Sequence, residues 1–185
     1  AMEAYKLIQV LFEEYGIDRQ EWLDMLELAA IATVGDVMKL KDENRIVVKE
    51  GLKKLADTKI QGLVSLMEKN TLDPEHISAY HIGFVLGPCL NASGRLKTAQ
   101  MAMELLLAEN KAQADELADA LKALNDERKD MTKDGTDAAI EQVETELKDD
   151  KVLVVFLPDC HESLAGIVAG RIREYYNKPV FVLTR

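Results

Sequence analysis

The sequence is short of cysteine, of positive charge and of long apolar runs, and each shortage closes off a class of protein. Its two cysteines, Cys89 and Cys160, form neither a disulfide framework nor a CxxC pair, so they read as free thiols in a reducing cytoplasm. No apolar run approaches the roughly 18 residues of a membrane span, so a membrane is not among the expected partners. The first residues lack the charged-then-apolar pattern of a signal segment. A net charge of −10 over 185 residues argues against a nonspecific nucleic-acid binder. There is no GxxxxGK[ST], no HExxH and no Ser/His/Asp order. No internal repeat and no low-complexity segment is visible.

What is present is a 48% hydrophobic chain with unevenly placed charge. Residues 101–150 hold 6 basic and 15 acidic groups, whereas residues 151–185 hold 5 basic and 3 acidic ones. A basic surface therefore remains open outside the acidic segment. Apolar residues recur at helical spacing over 3–15, stopping before Gly16, and over 19–31 with Trp22, Leu23, Leu26 and Ala30. "TVGDVMKL" breaks that period. Asp42 is placed to cap a third helix carrying Ile46, Val47, Leu52 and Leu55, and a fourth spans 62–69. Asp73-Pro74 marks a helix start. Helices are also expected over 97–108 and 110–131, the second long and amphipathic with a solvated acidic face. Gly135 is expected to interrupt it before a shorter helix to Leu147.

The character changes at Lys151. "VLVVFLP" has the length and apolarity of a strand buried on both faces, residues 162–176 read as helix, and "PVFVLTR" reads as a second strand. Two parallel strands and one helix cannot cover both faces of a sheet or protect its edges. The expectation is a β-α-β unit cut inside its domain. Ala1 before Met2 reads as a cloning remnant, with natural sequence expected upstream.

Three stretches could carry chemistry. In "ATVGDVMKL", Asp36 lies where an apolar element ends, and it is either a cap or a metal ligand; the residues alone favour the cap. "GPCLNASGRL" reads as a rigid polar turn. There Asn91, Ser93 and the Gly94 amide could line a concavity and Arg95 could offer a planar fork to phosphate, or the whole could be a plain helix-to-helix turn. In "PDCHESLAGIVAGRIREYY", His161 follows a strand end beside an opening helix, a place that favours anions. Ala165, Gly166, Ala169 and Gly170 are expected to pack the helix closely on the sheet, and Arg171 either reaches phosphate or is solvated. His76 and His81 read as structural or exposed. These readings together stop at a phosphate-handling helical fragment.

The ordered trio "LAAIATVGDVMKLKDENRIVVKEGLKKL", "HIGFVLGPCLNASGRL" and "HESLAGIVAGRI" resembles the RecJ family of single-strand-specific DNA exonucleases, within the DHH phosphoesterase superfamily, from about Leu26 to Arg185. The resemblance implies an α/β fold overall. It places a mostly helical C-terminal part of a DHH domain at 1–108, a helical connector at 109–149, and an incomplete β-α-β start of the DHH-associated domain at 150–185. It implies a Mn²⁺- or Mg²⁺-dependent 5′→3′ exonuclease of recombination and repair, cytoplasmic, with single-stranded DNA and other repair proteins as partners. Metal-activated water would be the nucleophile.

Residue by residue, the resemblance makes Asp36 the last metal-binding aspartate of the first domain, with the other ligands upstream of residue 1. Asn91, Gly94 and Arg95 match the family's Asn-x-x-Gly-Arg, near the scissile phosphate. His161 and the stretch from Gly166 to Arg171 match the first motif of the second domain. Asn91, Arg95 and His161 are thereby the expected catalytic residues, and Asn91, Ser93, Gly94, Arg95, His161 and Arg171 the expected phosphate contacts. Cys89 stands where the family often has Arg, and His161-Glu162-Ser163 where it has His-Pro-Gly. With so many ligands elsewhere, the isolated chain is expected to be inactive. A DHH phosphodiesterase for short oligonucleotides or cyclic dinucleotides, and a non-catalytic helical interaction module, are the alternatives.

Overall fold

A computed structural model describes residues 2–96 and 98–185. The chain is mostly helical and ends in a small two-stranded parallel sheet. Helix α1 (Met2–Glu14) stops where the sequence predicts, at Gly16, whose φ of 65° suits a residue without a side chain. The Gly16 and Ile17 amides then satisfy the Glu13 and Phe12 carbonyls.

The single helix expected over 19–31 is two, α2 (Arg19–Leu23) and α3 (Leu26–Gly35). The break allows Trp22 to meet the Tyr5 ring edge-on at 5.6 Å while Ala30 and Ile31 turn inward. Helix α3 runs through the first part of "TVGDVMKL" and ends with Val37 in the left-handed region, at φ 54°. Helix α4 (Asp42–Ala56) is not capped by the Asp42 side chain. Lys41 holds the cap position, and Asp42, at φ 47°, is already the first helical residue.

Helix α5 (Gln61–Lys69) crosses close to Leu105, and a Cβ on Gly62 would lie 2.0 Å from the Leu105 carbonyl oxygen. Asp73 accepts from the Glu75 amide and opens only a 3₁₀ turn, Pro74–His76. Next come α6 (Ala79–His81), a π-helical turn (Ile82–Leu86) and α7 (Gly87–Leu96), without interruption. The stretch "GPCLNASGRL" is therefore a helix and not a turn. Pro88 lacks the N–H that an interior helical residue donates. The π turn before it accommodates this by shifting the ladder, so that the Gly87 amide bonds the Ile82 carbonyl.

Helix α8 is Gln100–Leu106, within the predicted 97–108; Lys97 and Ala1 lie outside the described residues. Helix α9 (Lys111–Gln142) runs 32 residues, roughly 48 Å at 1.5 Å per residue. Gly135 does not interrupt it. Its missing side chain makes room for the neighbouring helix: a Cβ there would lie 3.3 Å from Val168 Cγ2 and 3.6 Å from Cys160 Sγ. A π turn, Val143–Leu147, continues α9.

The last unit is β1 (Leu153–Phe156), α10 (Glu162–Tyr176) and β2 (Val180–Leu183), with Leu153 paired to Val180 and Phe156 to Leu183. The β-α-β expectation holds, but burial on both faces does not. Leu153 and Val155 are buried, whereas Val154, Phe156, Phe181 and Leu183 are about half exposed. One face packs on the helices and the other faces solvent. The small residues of α10 were expected against the sheet, but nothing lies within 4 Å of a Cβ on Gly166 or Gly170. Val168 and Ile172 pack with Leu153 and Val155 instead.

Helix α9 joins two cores. Ala118 and Leu121 sit among Leu55, Leu63, Leu66 and Leu86 of the helical part, while Ala139 and Val143 sit among Leu153, Val155 and Ile172 of the β-α-β unit. One continuous helix sharing both cores fixes the two parts to each other. Among the described residues, no helix is long and apolar enough to cross a membrane.

Candidate functional site

Between the end of α3, the π turn, α7 and α9 lies a cavity of about 120 Å³ lined by Gly35, Gly83, Gly87, Asn91, Arg95 and Arg128, with Pro88 at its wall. The helical form of "GPCLNASGRL" decides which of its residues can serve there. Asn91 and Arg95 are four apart and share the exposed face of α7. Ser93 is turned the other way: it is buried, and its hydroxyl donates to the Leu90 carbonyl at 3.5 Å. Gly94 is mid-helix, where a backbone amide is engaged by the carbonyl four residues earlier. Asn91 and Arg95 are thus the phosphate candidates the fold brings together. Ser93 and the Gly94 amide are not presented to the cavity.

Cys89 is also on the inward face. It is fully buried, its thiol points at Asn70 Oδ1 at 3.8 Å, and burial pushes its pKa up. The position packs in the core and does not line the cavity.

Arg95 ties the helical part to the β-α-β unit. Its Nη1 donates to the Ser163 carbonyl at 3.0 Å, in the first turn of α10. His161 is the N-cap of that helix. Its Nδ1 accepts from the Ser163 amide at 3.3 Å and lies 2.8 Å from the Ser163 hydroxyl. An accepting Nδ1 fixes the tautomer with the proton on Nε2. Glu162 follows in the first turn, where the helix dipole favours a carboxylate. His161 does not share the arginine cavity. It lines a separate cleft of about 590 Å³ between α9 and the end of β1, with Asp134, Glu141, Glu146 and Asp159. Those carboxylates make this cleft negative, whereas the Arg95 side carries the positive charge.

Asp36 directly follows Gly35, at the cavity margin, exposed and closing α3. It caps no following helix, since Lys41 begins α4. Its neighbour Val37 is a β-branched residue in the left-handed region, a strained conformation of the kind that collects at functional sites.

No family model matches the chain. RecJ of Bacillus subtilis, a single-stranded-DNA-specific exonuclease, is 38% identical over 180 residues, 97% of this chain and 22% of that protein. RecJ of Escherichia coli, described in the same words, is 34% identical over 97% of this chain and 32% of its own length. The crystal structure of Thermus thermophilus RecJ in complex with Mg²⁺ superposes with a TM-score of 0.82 at 32% identity, covering 94% of this chain and 27% of that one. A second, of exonuclease RecJ bound to manganese, gives 0.85 at 31% identity over 98% of this chain and 45% of its own. The chain is similar to one segment of RecJ. It spans between 22% and 32% of the length of those two curated relatives.

The RecJ likeness raises the question of a divalent ion. Among the described residues, no three His, Cys, Asp or Glu side chains come together as a metal site. The residues present do not by themselves fit a bound metal, and Asp36 offers one carboxylate only.

Arg128 is the residue that the sequence motifs missed. It sits in the acidic stretch of α9, and nothing local marks it as different from a solvated arginine. Only the crossing of α9 past α7 places it beside Asn91 and Arg95.

Proposed function

We propose that this chain forms the phosphate-holding part of a RecJ-type, single-strand-specific 5′→3′ DNA exonuclease, acting in recombination and repair in the cytoplasm. The observation that carries the reading is the cavity. Asn91, Arg95 and Arg128 meet there beside Gly35-Asp36, in a chain that matches RecJ over nearly all its length. Residues 1–108 act as the end of the catalytic domain, 109–149 as the connector and 150–185 as the start of the second domain. The two cores joined through α9 support that division.

In this reading Arg95 grips a non-bridging phosphate oxygen with the donors that Ser163 leaves free, and the Asn91 amide fixes the phosphate's orientation. A guanidinium held in place offsets charge as the phosphodiester is attacked, with no reorganisation at that moment. His161 lies in the acidic cleft and bears on the phosphate site only through α10, whose Ser163 carbonyl holds Arg95, while Arg171, exposed on the same helix, adds attraction for the strand's backbone. Asp36 would supply one ligand to Mn²⁺ or Mg²⁺, which would activate water, and the rest would come from other parts of a RecJ-type polypeptide. The isolated chain is accordingly inactive.

The test is substrate choice by the full-length polypeptide that carries this chain. Degradation of a long single strand, with duplex and dinucleotide spared, is the expected result. Preference for the dinucleotide would replace the exonuclease by the small-substrate phosphodiesterase. No hydrolysis of either would leave the helical interaction module.

A further inference from the structure

The long helix holds a cation aimed at a site that it was not expected to join. Arg128 lines the same cavity as Asn91 and Arg95. Its Nε donates to Asn125 Oδ1 at 3.2 Å, and Asn125 is only 2% exposed, so a buried amide one turn earlier sets the direction of the guanidinium. Both Nη groups remain for another acceptor. Asp126, two residues earlier, is committed elsewhere: it pairs with Lys122 and Lys129, both at 2.9 Å. Burial and then the charges of Arg95 and Arg171 push the Arg128 pKa down, yet an arginine begins so high that it stays protonated. Two guanidinium groups, of Arg95 and Arg128, therefore line one cavity, the second partly buried, in a chain whose net charge is −10. Such a gathering destabilises the fold unless an anion sits among them. The cavity, at about 120 Å³ and open to solvent on one side, has room for a phosphate group beside the two guanidinium groups.

We propose that Arg128 is a phosphate-binding residue that clamps, together with Arg95, one phosphate group of the bound strand, with Asn125 as its positioning residue. This deepens the exonuclease reading by assigning the connector helix a share of the substrate site.

The experiment uses the 185-residue chain, Arg128→Gln and Arg128→Lys. Thermal unfolding is followed in inorganic phosphate and in chloride at equal ionic strength, and oligo(dT) binding by fluorescence anisotropy across salt. Phosphate is expected to raise the wild-type Tm, as any ligand of the native state does. Arg128→Gln should bind phosphate on the order of ten-fold more weakly, lower the DNA salt slope by about 0.7, and keep or raise the anion-free Tm because repulsion is relieved. Arg128→Lys should keep the slope and lose part of the affinity, since it keeps the charge without the fork. A merely structural arginine would lower the anion-free Tm in both variants and leave the phosphate shift intact. That result overturns the proposal, as does a wild-type chain that phosphate fails to stabilise. An Arg128-dependent phosphate shift without any DNA binding supports the clamp and counts against the exonuclease reading. DNA binding that needs Arg95 but not Arg128 does the reverse.

Discussion

Replacing Arg95 by lysine separates the two roles of its guanidinium. The fork has five N–H donors, and one on Nη1 is committed to the Ser163 carbonyl at 3.0 Å. The other four are left for an anion. The brace to Ser163 is an exposed, charge-assisted bond, and losing it costs about 1 kcal/mol, or roughly 2–4 °C in Tm for a chain of this size. A lysine can reach the carbonyl or the phosphate, but it does not present a fixed fork to both. Removing one preorganised donor from developing charge typically costs about 2.7–4 kcal/mol of transition-state stabilisation, on the order of 100- to 1,000-fold in rate. Arg95→Lys should therefore lower Tm slightly and slow single-turnover nucleotide release from labelled single strands by at least about 100-fold, in the chemical step more than in binding. Calorimetry on the chain and quenched-flow assays on the full-length polypeptide read the two effects separately. A rate within about threefold of wild type would refute the phosphate role. A large Tm loss, with the rate falling only as the folded fraction falls, would show that Arg95 is just a brace.

Three further outcomes follow from packing and strain. Gly135→Leu forces atoms between α9 and α10 where a Cβ already lies 3.3 Å from Val168. Overpacking of about 1–3 kcal/mol should outweigh the roughly 1 kcal/mol gained in helix propensity, lowering the denaturant midpoint. Val37→Gly removes a β-branched residue from φ 54° and should stabilise by about 1 kcal/mol in urea unfolding; no gain would mean that the turn is unstrained. Glu27 is buried. Its Oε1 accepts from Thr58, its Oε2 has no partner among the described residues, and burial holds its pKa above the usual 4.5. The folded state then binds the proton more tightly than the unfolded one, so this group's contribution worsens as pH rises from 4.5 through the folded pKa. Glu27→Gln should add about 1 kcal/mol at neutral pH, with the advantage fading in acid; a constant advantage across pH would contradict this.

The sequence showed the helices that carry clear apolar periods and caps: α1 to Gly16, α5 to Asn70, and α10 over the predicted 162–176. It misread the places where tertiary contact overrides local signals. Gly87 and Pro88 suggested a turn, but a π turn absorbs the proline and the helix runs on. Gly135 suggested a break, but it is a gap for Val168. Asn91 and Arg95 were legible from residue type and from the Asn-x-x-Gly-Arg resemblance, and the structure places them on one helix face. Ser93 was not separable from them until the helix phase was known, since a turn would have presented all of them together. Arg128 was invisible because its neighbours in space are more than thirty residues away in the chain.

Under the proposed function, Asp36 and the arginine cavity form one catalytic locus of a RecJ-type exonuclease. The most direct measurement is Mn²⁺-dependent release of nucleotides from 5′-labelled single-stranded DNA by the full-length polypeptide, wild type beside Asp36→Ala. Wild type should degrade the strand and the variant should not, with the variant's Tm unchanged because Asp36 is exposed and closes α3 through its backbone N–H, which alanine keeps. Equal activity in both would contradict it, and Asp36 would then be only the residue that closes α3.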